Sequence, residues 1–279
     1  MLIRCWGSRG SLPVSSPDCM KFGGDTSCLE IRDDDNRVII VDAGTGVRRL
    51  GQQVAEDNIS DIHWLFSHTH LDHIIGFPFF APLYDPSSKL TIYGHHHPRA
   101  HMLELLEKAI RPPYFPIHIR DCKAEVISVE PKNNPLTIGS ITIDSIPLSH
   151  TGHGLGFKFS SKQGSFVFIT DNELGYRHQD GRSYDEYVDF CRGADLLIHD
   201  AEYTSEEYAT YQGHGHSTLG QAVQLALDAG AKRLGLFHHN CNRTDQEIEG
   251  FERDIREYVH HHNADLECFA VSQSMSIEL

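Results

Sequence analysis

The stretch His68-Thr69-His70-Leu71-Asp72-His73 decides the reading of this 279-residue chain. It follows directly on His63-Trp64-Leu65-Phe66, a short apolar run that reads as a buried strand. In an extended segment alternate side chains share a side, so His68 and His70 point the same way. Imidazoles joined by a carboxylate suit zinc, with manganese or iron as alternatives. The competing reading, a polar loop that happens to hold three histidines, leaves the strand-then-ligand order unexplained.

Outward from this segment, the composition is that of a globular protein. Hydrophobic residues make up 39% and charged residues 23%, enough to build a core. The N-terminal residues Met1 to Gly7 read as a strand, and no apolar run is long enough to span a membrane, so the cytoplasm is the expected location. Seven cysteines without a C-x-x-C pair point to reduced thiols. A formal charge of −15 argues against long phosphate-backbone contacts, which need clustered Lys and Arg. The 20 histidines stand out.

Strands are expected at 2–5, 26–32, 37–42, 63–66 and 90–93, then at 124–129, 141–146, 156–160, 165–169, 195–199, 233–237 and 266–271. Thr45 is placed as the cap of a helix running to about Asp57. Further helices are expected near 99–108 and 184–192, from Ser217 or Thr218 to Ala229, and from Thr244 to His262. Two groups of strands, each followed by helices, suggest two packed sheets with helices outside. With no repeat, linker or boundary signal, residues 1–279 are read as one domain.

Several motifs together resemble the metallo-β-lactamase superfamily, on its ribonuclease Z and phosphodiesterase side. They are Cys5-Trp6-Gly7-Ser8-Arg9-Gly10-Ser11, Gly23-Gly24-Asp25-Thr26-Ser27-Cys28, Val41-Asp42-Ala43-Gly44-Thr45-Gly46 and the His68–His73 segment. The resemblance covers nearly the whole chain. It implies an α/β (α+β) fold, a four-layer αβ/βα metallo-β-lactamase sandwich, that holds two divalent metal ions.

By that resemblance His68 and His70 hold one ion, and Asp72 and His73 the other. The next ligand is His150 in Ser149-His150-Thr151-Gly152-His153, with His153 as competitor. Asp171, after the apolar run Phe168-Ile169, is the bridging carboxylate; His238 is the last ligand, with His239 as alternative. Leu197-Ile198-His199-Asp200-Ala201-Glu202-Tyr203 is similar to the family's His-Glu-Ala-Thr element, and Gly213-His214-Gly215-His216-Ser217-Thr218 to its His-Ser-Thr element. The resemblance then makes His216 the proton donor and Asp200 its partner, with Asp72 in the catalytic group. The role of His214 stays open. His95-His96-His97 and His260-His261-His262 read as solvated, and Cys28 and Cys241 as packing thiols.

Two metal ions about 3.5–4 Å apart lower the pKa of a shared water towards 7, giving a hydroxide that attacks in line with its leaving group. A proton donor matters most where that group is an alkoxide, which favours phosphodiesters over lactams and thioesters. The protruding arm by which ribonuclease Z grips transfer RNA has no room between His153 and Asp171. A small diester such as a 3′,5′-cyclic nucleotide is the expected substrate, and a large nucleic acid the weaker candidate. Phe77, Phe79, Phe80, Tyr114 and Phe115 are either base-stacking groups or core. The alternatives are a ribonuclease Z-like nuclease without the arm, a non-catalytic nucleotide-binding protein, and a lactonase or thioesterase. The resemblance also implies a homodimer.

Overall fold

Short apolar runs, punctuated by turn residues, assemble into two seven-stranded sheets. The computed structural model of the chain describes residues 1–94, 101–130, 135–262 and 264–279. The first sheet carries, side by side in chain order, β1 (Leu2–Gly7), β2 (Cys28–Arg32), β3 (Val38–Val41), β4 (Asp61–Leu65), β5 (Lys89–Tyr93) and β6 (Glu125–Val129). Between them come α1 (Val47–Glu56), the single turn α2 (Leu71–Ile74) and α3 (Met102–Ala109). The second sheet runs in chain order from β7 (Leu136–Ile138) through β8 (Ile141–Pro147), β9 (Leu155–Ser160), β10 (Ser165–Ile169), β11 (Leu196–Asp200) and β12 (Arg233–Phe237) to β13 (Glu267–Ala270). Its helices are α4 (Tyr184–Cys191), α5 (Ser205–Tyr211), α6 (Leu219–Ala229) and α7 (Asp245–His261). A last strand, β14 (Ser276–Glu278), returns to pair with β1.

Strands β3 to β6 are mutually parallel, as are β10 to β13. A parallel strand is covered on both faces, which is why β3 reads Val-Ile-Ile-Val and is buried throughout. The inner faces meet where Ile39, Val41 and Leu65 pack against Phe166, Phe168, Ile198 and Phe237. Outside the first sheet, Val47, Leu50 and Leu106 of α1 and α3 cover Ile40, Ile62 and Trp64. Outside the second, Tyr187, Leu225 and Ile255 of α4, α6 and α7 cover Val167, Leu197 and Leu234. The layers are helix, sheet, sheet, helix: the αβ/βα sandwich that the motifs implied.

Some elements differ from the sequence reading. Thr45 does not cap α1, whose N-cap is Gly46 without a side-chain bond. Its Oγ1 instead accepts from Thr26 N while Thr26 Oγ1 accepts from Thr45 N, both at 3.0 Å, so the pair ties two loops together. α5 went unread because none of its residues is buried, leaving no apolar stripe; its one mark is the capping box of Thr204 and Glu207. β7 and β14 are too short to show alternation. Residues 95–100, with the His95–His97 run and the start of the helix expected near 99, lie outside the described residues. No helix among the described residues is long and apolar enough to cross a membrane.

Candidate metal centre and acid

The chemistry-bearing residues gather where strands end. Ser67 and His68 follow β4, Asp171 follows β10, Asp200 is the last residue of β11, and His238 follows β12. His150 arrives from the end of β8. Three residues at such ends are left-handed although none is glycine: Asp42 (φ 64°), Asp171 (φ 50°) and His238 (φ 59°). A side chain pays a steric cost there, and residues held in this way concentrate at functional sites. Between His70 and His73 the chain turns once into α2, with His73 N donating to His70 O at 3.0 Å. That turn buries Asp72 and His73 while His70 stays exposed.

Two clusters share Asp171. His68, His70, His150 and Asp171 form one, Asp72, His73, Asp171 and His238 the other, each with its ligand atoms within 4.8 Å of one another. Asp171 Oδ2 lies 3.6 Å from His68 Nε2 and 3.7 Å from His150 Nε2. Its Oδ1 lies 3.3 Å from both His73 Nε2 and His238 Nε2. Asp72 Oδ2 is also 3.3 Å from each of those two nitrogens. One carboxylate therefore faces each cluster with a different oxygen.

The remaining ring nitrogens are held from behind. His73 Nδ1 meets Asp42 Oδ2 at 2.8 Å, His238 Nδ1 meets Glu202 Oε2 at 3.0 Å, His150 Nδ1 donates to Gly215 O at 2.8 Å, and Ser67 Oγ sits 3.1 Å from His68 Nδ1. Such partners fix the tautomer that leaves the opposite nitrogen free to ligate. Ser11 N donates to Asp72 Oδ2 at 2.9 Å, orienting that carboxylate.

The cluster fits metal ions by its own chemistry. His68 Nε2 and His73 Nε2 are buried and have no hydrogen-bond partner, and a buried polar atom of this kind normally has one. Burial holds the imidazole of His68 well below its usual range and that of His150 at about 4, so their lone pairs are free at neutral pH. At His73 and His238 burial opposes charge, but Asp72, Asp171 and the carboxylates behind them outweigh it and favour positive charge there. The same field attracts a divalent cation.

His216 lies beside both clusters. Its ring stacks on His238 at 4.8 Å and stands edge-on to His150 at 5.2 Å. Nδ1 meets Asp200 Oδ2 at 2.8 Å and Glu202 Oε2 at 3.4 Å. Burial disfavours the imidazolium, yet the charge and hydrogen bond of Asp200, with Glu202 and Asp171 behind, lift its pKa to about 9. With Nδ1 held by Asp200, the ring's second nitrogen, Nε2, is on the side away from that carboxylate.

The alternatives named from sequence lie elsewhere. His153 pairs with Asp180 at 2.6 Å, and buried His239 donates from Nε2 to Val271 O at 2.8 Å. Neither is in a ligand cluster. Phe77 and Phe80 are fully buried against Trp64, at 5.0 and 4.8 Å, so they belong to the core and not to a stacking surface. Phe79 and Tyr114 are exposed, and Phe115 stands edge-on to Phe79 at 5.6 Å. His214 is exposed with its ring 5.5 Å from Tyr211. His260 and His261 close α7 at the surface, and the cysteines are unpaired thiols. Sequence reasoning missed Asp42 and Glu202, which hold His73 and His238 from behind. Each ends or follows an apolar strand, and that position was the available signal.

Comparison with known proteins agrees with this architecture. Residues 37–239 match the model of the β-lactamase superfamily domain. Ribonuclease Z of Porphyromonas gingivalis is 27% identical over 262 residues, covering 78% of this chain and 83% of that protein. The metallo-β-lactamase fold protein YhfI of Bacillus subtilis superposes with a TM-score of 0.73 at 19% identity, covering 100% of this chain and 99% of that one. A diphosphatase of the PhnP family superposes with a TM-score of 0.70 at 18% identity, covering 100% and 97%. The chain belongs to the β-lactamase superfamily, as a metallo-β-lactamase-fold hydrolase of the ribonuclease Z branch.

Proposed function

We propose that the chain hydrolyses small phosphodiesters, with 3′,5′-cyclic nucleotides as the substrate class. His68, His70, His150 and Asp171 would hold one divalent ion, and Asp72, His73, Asp171 and His238 the other, with zinc expected before manganese or iron. When bound, such a pair supplies an activated water at neutral pH and neutralises charge on the phosphoryl oxygens. His216 donates a proton from Nε2 to the departing alkoxide. Asp200 and Glu202 keep Nδ1 protonated and the ring in place. Asp72, fixed by Ser11 N, holds its oxygen towards His73 and His238.

The observation that carries the reading is His216. A buried imidazole whose Nδ1 is held by Asp200 at 2.8 Å, stacked on His238 beside both ligand clusters, is placed to give a proton to a leaving group that needs one. The small substrate is supported by the turn of residues 161–164 between β9 and β10, which leaves no protruding arm there, and by the charge of −15. The test is turnover of cyclic AMP, GMP, CMP and UMP by wild type and His216→Ala. The variant should keep its metal content and lose about 10²- to 10⁴-fold on these diesters. The loss should be much smaller on bis(p-nitrophenyl) phosphate, whose leaving group needs no proton. Equal losses on both would reject His216 as the acid.

A nuclease is the second reading, favoured by the Porphyromonas gingivalis relative. Cleavage of single-stranded RNA with salt-dependent affinity, and no turnover of any cyclic nucleotide, would select it over the first.

A further inference from the structure

Glu173 sits two residues beyond Asp171, is 1% exposed, and has no role in the ligand clusters. Its carboxylate accepts four hydrogen bonds. Tyr208 Oη and Gly213 N donate to Oε1, both at 2.7 Å. Gly215 N donates to Oε2 at 2.7 Å, and His178 Nε2 donates to it at 2.9 Å. Its own amide donates to Ser149 O at 2.9 Å, next to His150. One carboxylate thus gathers α5, the segment around His178 and the turn that leads into His216.

The two glycines explain how the turn reaches it. Gly213 (φ 88°) and Gly215 (φ 97°) are both left-handed, which aims both amides at Glu173. Gly215 O then faces the opposite way and accepts from His150 Nδ1 at 2.8 Å. A Cβ on Gly215 would lie 2.0 Å from that same nitrogen. The next residue is His216. The turn therefore touches a ligand histidine with its carbonyl and presents the acid with its following side chain.

We infer that Glu173 is the positioning residue of this centre: its carboxylate folds the Gly213–Gly215 turn and thereby sets His216 and His150 relative to one another. The inference rests on the proposed acid role of His216. Glu173 touches neither substrate nor ligand atoms and acts through the turn. Its charge is needed because each of its two oxygens accepts from a glycine amide and from a side-chain donor. In Glu173→Gln an NH2 group replaces one of those acceptors and faces an N–H.

The test compares wild type, Glu173→Gln, Tyr208→Phe and His216→Ala. In metal-free protein, the amides of Gly213 and Gly215 should exchange hydrogen at least about tenfold faster in Glu173→Gln than in wild type, since charge-assisted bonds are lost. Loaded to wild-type metal content, Glu173→Gln should lose about 10- to 100-fold in kcat on a cyclic nucleotide. Its kcat on bis(p-nitrophenyl) phosphate should stay within about threefold of wild type, because that leaving group needs no acid. Tyr208→Phe removes one of the four donors and should shift both readouts the same way by less. It also carries the test alone if Glu173→Gln does not fold. Unchanged amide exchange, or equal losses on both substrates, overturns the inference when His216→Ala is selective for the alkoxide substrate. If His216→Ala is itself unselective, the acid assignment fails and the inference falls with it.

Discussion

Asp42 offers the sharpest test of how the centre is held together. Its Oδ1 accepts from Ser67 N at 2.7 Å and from Ser67 Oγ at 2.9 Å. Its Oδ2 lies 2.8 Å from His73 Nδ1 and accepts from Ser27 Oγ at 2.9 Å. In Asp42→Asn the backbone N–H of Ser67 demands an acceptor, so the amide oxygen takes the Oδ1 place. The NH2 group must then face His73 Nδ1. A donor opposite Nδ1 requires that nitrogen to be the acceptor, which puts the ring proton on Nε2. Nε2 is the atom facing Asp72 and Asp171, so the variant occupies the very lone pair a metal ion would use. Loss of such an orienting partner typically weakens metal binding about 10- to 100-fold, or about 1.4 to 2.7 kcal/mol. Chelator competition on the purified protein reads this directly. One ion should be lost at low chelator, while the ion on the His68, His70 and His150 side is retained. Two ions held with wild-type affinity would refute the tautomer argument.

Other outcomes follow from the same geometry. Gly213→Ala meets no atom within 4 Å and should cost only the left-handed conformation, about 1–2 kcal/mol by denaturant melts, whereas Gly215→Ala meets His150 and should also reduce metal binding. Phe80→Ala should lower stability by about 3–5 kcal/mol with KM unchanged. Phe79→Ala, on an exposed ring, should leave Tm within a few degrees, and a raised KM for cyclic nucleotides would mark it as a base contact. Asp33 is buried, which raises its pKa, but amide donation from Arg37, Ser140 and Asp35 and the Arg37 side chain hold it below the usual carboxylate range. Its stabilisation is therefore complete above about pH 4 and is lost as pH falls through the folded pKa. Asp33→Asn should flatten that part of the stability–pH curve, and an unchanged slope would refute the assignment.

The parallel strands β3, β10 and β12 were legible because they are nearly continuous apolar runs, and a parallel strand covered on both faces must be written that way. The candidate ligands were legible through the resemblance, with His68, Asp171 and His238 each standing within three residues of the end of an apolar strand. What escaped depends on contacts between distant segments. Asp42 acts on His73 and Glu202 on His238, at separations of 31 and 36 residues with no periodic signature. The divergent fates of Phe77, Phe79 and Phe80 are set by a 3₁₀ turn over Phe77–Phe79, too short for an amphipathic pattern to reveal which rings point inward.

The left-handed residues Asp42, Asp171 and His238 have a consequence for engineering. At each, glycine would relax the backbone by about 1–2 kcal/mol relative to an ordinary side chain. A library selected only for heat resistance will nevertheless keep Asp42, because that relief is smaller than the cost of leaving Ser67 N, Ser67 Oγ, Ser27 Oγ and His73 Nδ1 without the acceptor its carboxylate supplies. Thermal survival and the orientation of His73 therefore pull the same way at this strand end, since one carboxylate serves both.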